Sequence, residues 1–288
     1  MNSWSEIILS LNYFFWFYLS LVSSVLVLTT VFYVLERLVP AEPDQTISKR
    51  LFNSTYYPFL LAWLLLQQLM LAPAYSYFFR VSGGGLLSKL FNPPQGFVAQ
   101  FMFALLFAVV WDLWQYWIHR WQHAWPLLWE THKFHHSETA LNSSAQARHH
   151  FLNAILFGVL YIPLLILFGW FTPHFVASFV MFRIWGFVNH ANMRLHFGSL
   201  TPLVSSPQWH RIHHSLFAQH HDKNFAAFFP FIDLLFGTYY RPQKGEYPPT
   251  GLSPEQNSGN LREATVAPFA GLYRLVLGRA RQLENPER

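Results

Sequence analysis

Long uncharged stretches of apolar residues recur along the first two thirds of the chain. No Asp, Glu, Lys or Arg occurs in residues 7–35, 51–79, 90–111 or 149–182. A helix that crosses a bilayer needs about 20 apolar residues, so each stretch is long enough for one. The pattern predicts an all-α integral membrane helical bundle of about four spanning helices, in which the last stretch forms a hairpin over residues 151–190.

Few charged residues are available to cover a soluble surface. Of the 288 residues, 52% are hydrophobic and only 11% are charged, whereas about 25% charged is typical of soluble domains. The net charge is +5, but the Lys and Arg residues are scattered and flank the apolar stretches, which argues against nucleic acid as a partner. Because they concentrate after the first and third stretches and in the C-terminal region, the positive-inside rule places these regions in the cytoplasm. The membrane is then either a bacterial inner membrane or the endoplasmic reticulum.

These patterns divide the chain into three parts. Residues 1–97 hold the N-terminal transmembrane helices, and residues 98–242 hold a histidine-rich region that includes the hairpin. Residues 243–288 form a C-terminal cytoplasmic tail, in which residues 269–283 have the pattern of a basic amphipathic helix. Such a helix either lies on the membrane surface or packs as an ordinary terminal helix.

Histidine is distributed very unevenly along the chain. All 15 histidines lie between His119 and His221, and three clusters read HRWQH, HKFHH and HRIHH. On a helix, residues at i, i+3 and i+4 share a face, so the imidazole rings of each cluster can converge on one metal ion or on two adjacent ions. The clustered histidines are His119, His123, His132, His135, His136, His210, His213 and His214.

A single carboxylate accompanies the first cluster. Asp112 lies on the same helical stripe as His119 and His123. A carboxylate within an apolar helix is costly and is by default functional, so we predict that it orients a ligand histidine. The alternative is a structural ion pair, with Arg120 or Arg183.

The types of candidate ligand residue limit which metal ions the chain can bind, and how many, but leave more than one possibility. Imidazole suits zinc, copper, iron and nickel, and eight histidines are too many for one four-coordinate zinc, so two ions fit better. With no cysteine, iron–sulfur and thiolate zinc sites are excluded. Two alternatives stay open: a membrane metal-binding protein such as a zinc transporter or storage site, and a zinc-dependent hydrolase whose nearest general bases are Glu130 and Glu138.

Five motifs between Trp111 and Pro242 resemble those of the sterol desaturase and fatty acid hydroxylase superfamily of membrane di-iron enzymes. They read WDLWQYWIHRWQH, LWETHKFHHSE, NHANMRLHFG, TPLVSSPQWHRIHHS and DKNFAAFFPFIDLLFGTYYRP. The resemblance implies a cytoplasm-facing cap that holds two non-haem irons, with zinc as a possible substitute. It also implies hydroxylation or desaturation of a lipid or sterol-like substrate with O2.

The resemblance further implies a ligand set and an electron donor. Phe151 replaces the proline that follows the matching histidine in many relatives, and Gly186 stands where some relatives have another histidine. Neither a dinucleotide fingerprint nor a fused electron carrier is recognisable, so a separate cytochrome b5-like or ferredoxin-type carrier with its reductase is expected. The implied ligands are His119, His123, His132, His135, His136, His150, His190, His210, His213 and His214.

Overall fold

The computed structural model describes residues 3–87, 96–169, 173–253 and 260–284, and within these ranges the chain is helical, with only two isolated β-bridges. Short 3₁₀ helices at Ser143–Ala147, Gly198–Leu200 and Ala218–His220 join the longer helices. The α-helices are α1 (Ser3–Glu36), α2 (Ile47–Ser82), α3 (Phe97–Ala124), α4 (Pro126–His136), α5 (Phe151–Leu160), α6 (Ile162–Phe168), α7 (Pro173–His190), α8 (Pro207–His213), α9 (Phe231–Phe236) and α10 (Leu261–Glu284).

Four segments are long and apolar enough to cross a membrane. They are Tyr18–Glu36, Ile47–Ser82, Phe97–Ala124 and Phe151–Phe168. Large apolar side chains on their outer faces are exposed, and lipid would cover this surface. The predicted all-α membrane bundle of about four spanning helices is therefore confirmed.

Two helices can be compared with the sequence prediction. The third apolar helix begins at Phe97 and continues to Ala124, as the helical stripe of Asp112, His119 and His123 indicated, while residues 90–95 lie outside the described part of the chain. The stretch after residue 150 breaks at Tyr161, because Pro163 has no N–H to continue the hydrogen-bond ladder. Residues 170–172, where the hairpin would turn, lie outside the described residues.

A buried carboxylate joins the ends of the membrane helices into a polar cap. Glu36, at the end of α1, accepts hydrogen bonds from the backbone N–H of Ser143 at 2.8 Å and of Asn192 at 2.9 Å. It also pairs with the buried Arg50 at the start of α2. Because Asn192 lies two residues beyond the end of α7, the Glu36 side chain fixes three helix ends and the 3₁₀ turn against each other.

Two Xaa–Pro steps place the histidine clusters. Trp125 is extended (φ −106°, ψ 118°), as residues before proline usually are, so α4 turns sharply from α3 and packs beside it. The backbone N–H of Trp209 donates to the Ser206 side chain at 3.2 Å, and Pro207 occupies the first turn of α8. Both features favour a helix start at that position. The cluster HRIHH therefore begins on a fixed helix end.

Candidate metal centre

Nine buried or half-buried histidines form two adjacent groups within the cap. In each group the nearest ring nitrogens all lie within 4.8 Å of one another. The rings of His136 and His214, which belong to different groups, stack with centroids 4.4 Å apart. Site one consists of His119, His123, His132, His136 and His213, and site two consists of His135, His190, His210 and His214.

The two identical H-x-x-H-H clusters contribute to the sites in opposite ways. In HKFHH the first and last histidines belong to site one and the middle histidine to site two. In HRIHH the first and last belong to site two and the middle one to site one. Since consecutive helix residues differ by about 100° in direction, the two adjacent histidines of each cluster face different sites. Each cluster therefore links both sites.

The spacing of the ring nitrogens suits shared metal ions. Two nitrogens bound about 2.1 Å from one ion at angles between 90° and 109° lie about 3.0–3.4 Å apart. The Nε2–Nε2 distances within the sites fall in this range. They are 3.1 Å for His123–His136 and 3.2 Å for His132–His136 in site one, and 3.1 Å for His135–His190, 3.1 Å for His190–His210 and 3.2 Å for His210–His214 in site two.

Two site-one rings have their tautomer fixed by backbone carbonyls. His119 donates from Nδ1 to the carbonyl oxygen of Phe225 at 2.8 Å, and His213 donates from Nδ1 to that of Lys223 at 2.8 Å. A neutral ring that donates from Nδ1 carries a lone pair on Nε2. Both Nε2 atoms are buried without a hydrogen-bond partner in the described structure. Unpartnered buried lone pairs are costly, and a metal ion would satisfy them.

The cluster histidines are also held in the neutral form that binds metal. Burial, followed by repulsion from neighbouring histidines, lowers their pKa well below the usual value. A neutral imidazole ring is the form that can act as a ligand. Outside the membrane helices and the hairpin, this lowering of the pKa applies to His132, His135, His136, His210, His213 and His214.

The sequence predicts that Asp112 orients a histidine ring, but no such hydrogen bond is present in the described structure. Asp112 also pairs with neither Arg120 nor Arg183 there. Its carboxylate accepts three hydrogen bonds of 2.6–2.9 Å from the backbone N–H groups of residues 227–229. Asp233 accepts hydrogen bonds from the backbone N–H groups of Phe225 and Ala226, at 2.8 and 2.9 Å. Buried carboxylates need such donors. The two aspartates therefore hold the segment that supplies the Phe225 carbonyl.

His150, one of the predicted ligands, lies outside both histidine groups. Its Nδ1 accepts from the backbone N–H of Leu152 at 3.3 Å, which caps α5, and its Nε2 lies 3.1 Å from the carbonyl oxygen of Thr265. The neighbouring His149, which the sequence did not single out, instead stacks on His135 with centroids 4.5 Å apart. Since successive residues before a helix point in different directions, the HH pair alone could not show which ring faces the site.

The structure also shows the surroundings of three other positions named in the sequence analysis, Gly186, Glu130 and Glu138. A Cβ atom at Gly186 would overlap the side-chain amide of Gln146, which therefore takes the space of any larger side chain. Glu130 pairs with Lys133, and Glu138 lies 3.5 Å from Arg148. Neither glutamate belongs to a histidine group, so neither lies where the hydrolase alternative would need its general base.

A cavity of about 450 Å³ opens beside site one. Its described wall contains three histidines of site one and none of site two. The remaining wall is partly apolar and partly polar. It includes Trp129, Leu216 and Leu252 on the apolar side and Ser215, His221, Asp222 and Ser253 on the polar side.

Comparison with known proteins identifies the region that carries these histidines. The sequence model of the fatty acid hydroxylase family matches residues 104–238. The alkylglycerol monooxygenase of Danio rerio is 30% identical over 129 residues, which is 44% of this chain and 28% of that protein. An ornithine lipid hydroxylase of Rhizobium tropici is 29% identical over 156 residues, 54% of this chain and 46% of that protein.

A third relative widens the range of named reactions. A Delta(7)-sterol 5(6)-desaturase of Gibberella zeae is 28% identical over 164 residues, 57% of this chain and 45% of that protein. The matched part of this chain thus spans less than half the length of each of these three relatives. No solved structure matches the chain.

Proposed function

We propose that this chain, which belongs to the sterol desaturase and fatty acid hydroxylase superfamily, is a membrane non-haem di-iron oxygenase acting on a lipid-like substrate. The observation that carries the proposal is the pair of adjacent all-histidine sites, with five and four ring nitrogens converging. Two metal ions fit this count better than one. When bound, two irons would supply the activation of O2.

The overall reaction requires electrons from outside the chain. Hydroxylation converts C–H to C–OH, consumes O2, two electrons and two protons, and releases one water. Desaturation with the same inputs removes two hydrogens and releases two waters. An external cytochrome b5-like or ferredoxin-type carrier with its reductase would supply the electrons, and the basic cytoplasmic side proposed from the Lys and Arg distribution suits an acidic carrier.

The chain's own residues would orient the reacting groups and exclude water. The histidines hold the ions, and the buried hydrogen bonds around them restrict the rings to one orientation. The cavity beside site one combines Trp129 and Leu216 with Ser215 and Asp222, so it suits a substrate whose hydrocarbon part lies next to a polar group. The relatives named for an alkylglycerol and an ornithine lipid act on molecules of that kind.

Metal analysis of detergent-purified protein tests the proposal. We expect about two irons per chain in the wild type and a loss of iron in both His213→Ala, which alters site one, and His135→Ala, which alters site two. The exposed His196→Ala serves as the matched control and should keep both ions. Reduced wild-type protein should consume O2 and yield hydroxylated or unsaturated lipid in an extract of its host membrane.

Other outcomes would favour a different class of protein. A single zinc that survives both substitutions and iron reconstitution would contradict the di-iron proposal. It would favour a zinc-binding membrane protein, since imidazole sites accept zinc readily. Two irons without reductant-dependent O2 consumption would contradict the oxygenase reaction while leaving the dimetal centre in place.

A further inference from the structure

One short segment, Asp222–Phe225, contacts the rings of three of the five site-one histidines. The carbonyl oxygens of Lys223 and Phe225 accept hydrogen bonds from the Nδ1 atoms of His213 and His119. At the head of the segment, Oδ1 of Asp222 lies 3.4 Å from Nδ1 of His123. Three ligand rings, which come from two distant helices, are thus oriented by four consecutive residues.

The backbone of this segment has an uncommon conformation. Asp222 and Asn224 have φ values of 57° and 63°, in the left-handed region that asparagine and aspartate adopt more readily than other side chains. Such residues persist only where the surrounding structure enforces the conformation. Asp222 and Asn224 alternate along the chain with Lys223 and Phe225, whose carbonyl oxygens face the histidines.

Asn224 is the residue that holds this conformation. It is fully buried, and its Nδ2 donates to the carbonyl oxygen of Trp209 at 3.1 Å. Its Oδ1 accepts from the backbone N–H of Tyr240 at 2.8 Å, and its own N–H donates to the Thr238 carbonyl at 3.0 Å. In the described structure Asn224 makes no hydrogen bond to a cluster histidine, so the effect that it has on metal binding is expected to pass through the segment.

Site two lacks an equivalent support in the described part of the chain. His190 donates from Nδ1 to the carbonyl of Gly186, four residues earlier in its own helix, at 2.7 Å. The Nδ1 atoms of the other three site-two histidines are buried without a hydrogen-bond partner. The two sites are therefore held differently, one by a separate loop and the other by the helices that carry its ligands.

We propose that Asp222–Phe225 is a positioning segment for site one, in which Asp222 and Asn224 set the orientation and tautomer of three ligand rings. This inference rests on the dimetal centre proposed above. It requires that changes in the segment weaken metal binding at site one and leave site two unchanged. Partners that orient ligands in this way typically alter metal affinity by 10–100-fold.

Cobalt(II) titration of the metal-free, full-length protein in detergent tests this proposal, because cobalt spectra report ligand geometry independently of activity. His123→Ala and His190→Ala define the spectra of protein altered at site one and at site two. Asp222→Asn keeps the size of an exposed side chain and tolerates positive φ, so the variant should fold. Asn224→Gly keeps the backbone conformation but removes both side-chain hydrogen bonds.

We expect about 10–100-fold weaker binding at one site in both variants, with a remaining spectrum like that of His123→Ala. Asn142→Ala, which removes another buried asparagine bonded within its own turn, should bind both ions normally. Unchanged affinities in both variants, or equal weakening of both sites, would overturn the positioning role. Wild-type protein that fails to bind two cobalt ions would instead overturn the dimetal centre itself, which is a distinct result.

Discussion

Asp112→Asn measures how firmly the backbone beside site one is held. Asp112 is fully buried, and its Oδ1 accepts from the N–H of Ala227 at 2.7 Å. Its Oδ2 accepts from the N–H of Phe228 at 2.9 Å and of Phe229 at 2.6 Å. Asparagine has nearly the same shape, but only one of its two terminal atoms is an acceptor. Its NH2 group must therefore face at least one backbone donor.

The size of the loss follows from the number of donors left unpaired. Leaving a buried N–H without an acceptor costs about 1–3 kcal/mol. The amide of Asp112→Asn can turn its oxygen towards the two donors now served by Oδ2, so one donor is lost and the free energy of unfolding falls by about 1–3 kcal/mol. Asp112→Ala leaves all three unpaired, which costs about 3–9 kcal/mol. That loss approaches the entire stability of many proteins, about 5–15 kcal/mol.

Unfolding of the purified protein in mixed detergent is the appropriate assay, with metal content measured on the same samples. Glu36→Gln is the matched control, because Glu36 is also buried and accepts two backbone N–H groups, but at Ser143 and Asn192. Both variants should be less stable, whereas only Asp112→Asn should lose metal from site one. An Asp112→Asn protein within about 0.5 kcal/mol of wild type, with both ions retained, would refute the reasoning.

Three further outcomes are expected. His150→Ala should keep both metal ions in metal analysis and lose about 1 kcal/mol of free energy of unfolding, because the hydrogen bond that caps the Leu152 N–H is removed. Loss of an ion would contradict the position of His150 outside the two sites. Gly271→Val should lower the melting temperature, because a Cβ atom there would overlap the carboxylate of Glu130. Glu130→Ala should restore part of the loss, whereas additive effects of the two substitutions in the double variant would show that the contact is not formed. The free energy of unfolding of the metal-free protein should fall as the pH falls below about 6.5. Each cluster histidine with a lowered pKa is protonated in the unfolded state before it is protonated in the folded state, which gives a slope of up to about 1.4 kcal/mol per pH unit for each histidine. An unfolding midpoint that does not change between pH 7 and pH 5 would contradict this.

The sequence predicts the helical membrane bundle and the family well, because both depend on local patterns. Uncharged stretches of about 20 residues identify spanning helices, and the spacing of the histidine clusters is short enough to read along a single helix. Nine of the ten predicted ligands meet in the two sites. The matched family region at residues 104–238 confirms the resemblance that the motifs indicated.

The parts that the sequence does not predict depend on contacts between distant residues. The division of the clusters into two sites, with neighbours such as His135 and His136 in different ones, follows from how α3, α4, α7 and α8 pack. The roles of Lys223 and Phe225 are carried by backbone carbonyls, to which side-chain identity gives no direct clue. Asp112 lies on the histidine stripe, but its partners are more than a hundred residues away.

The same packing accounts for the composition of the two groups, which among the described residues consist of histidine alone. An unpaired buried carboxylate is far more costly than a buried neutral imidazole. Burial lowers the pKa of the cluster histidines on α4 and α8, so these rings can be enclosed in the neutral form without uncompensated charge. The buried aspartates Asp112 and Asp233 instead accept hydrogen bonds from five backbone N–H donors in the segment beside site one. Imidazole rings thus form the two candidate metal sites, whereas these two carboxylates hold the backbone whose Phe225 carbonyl orients His119.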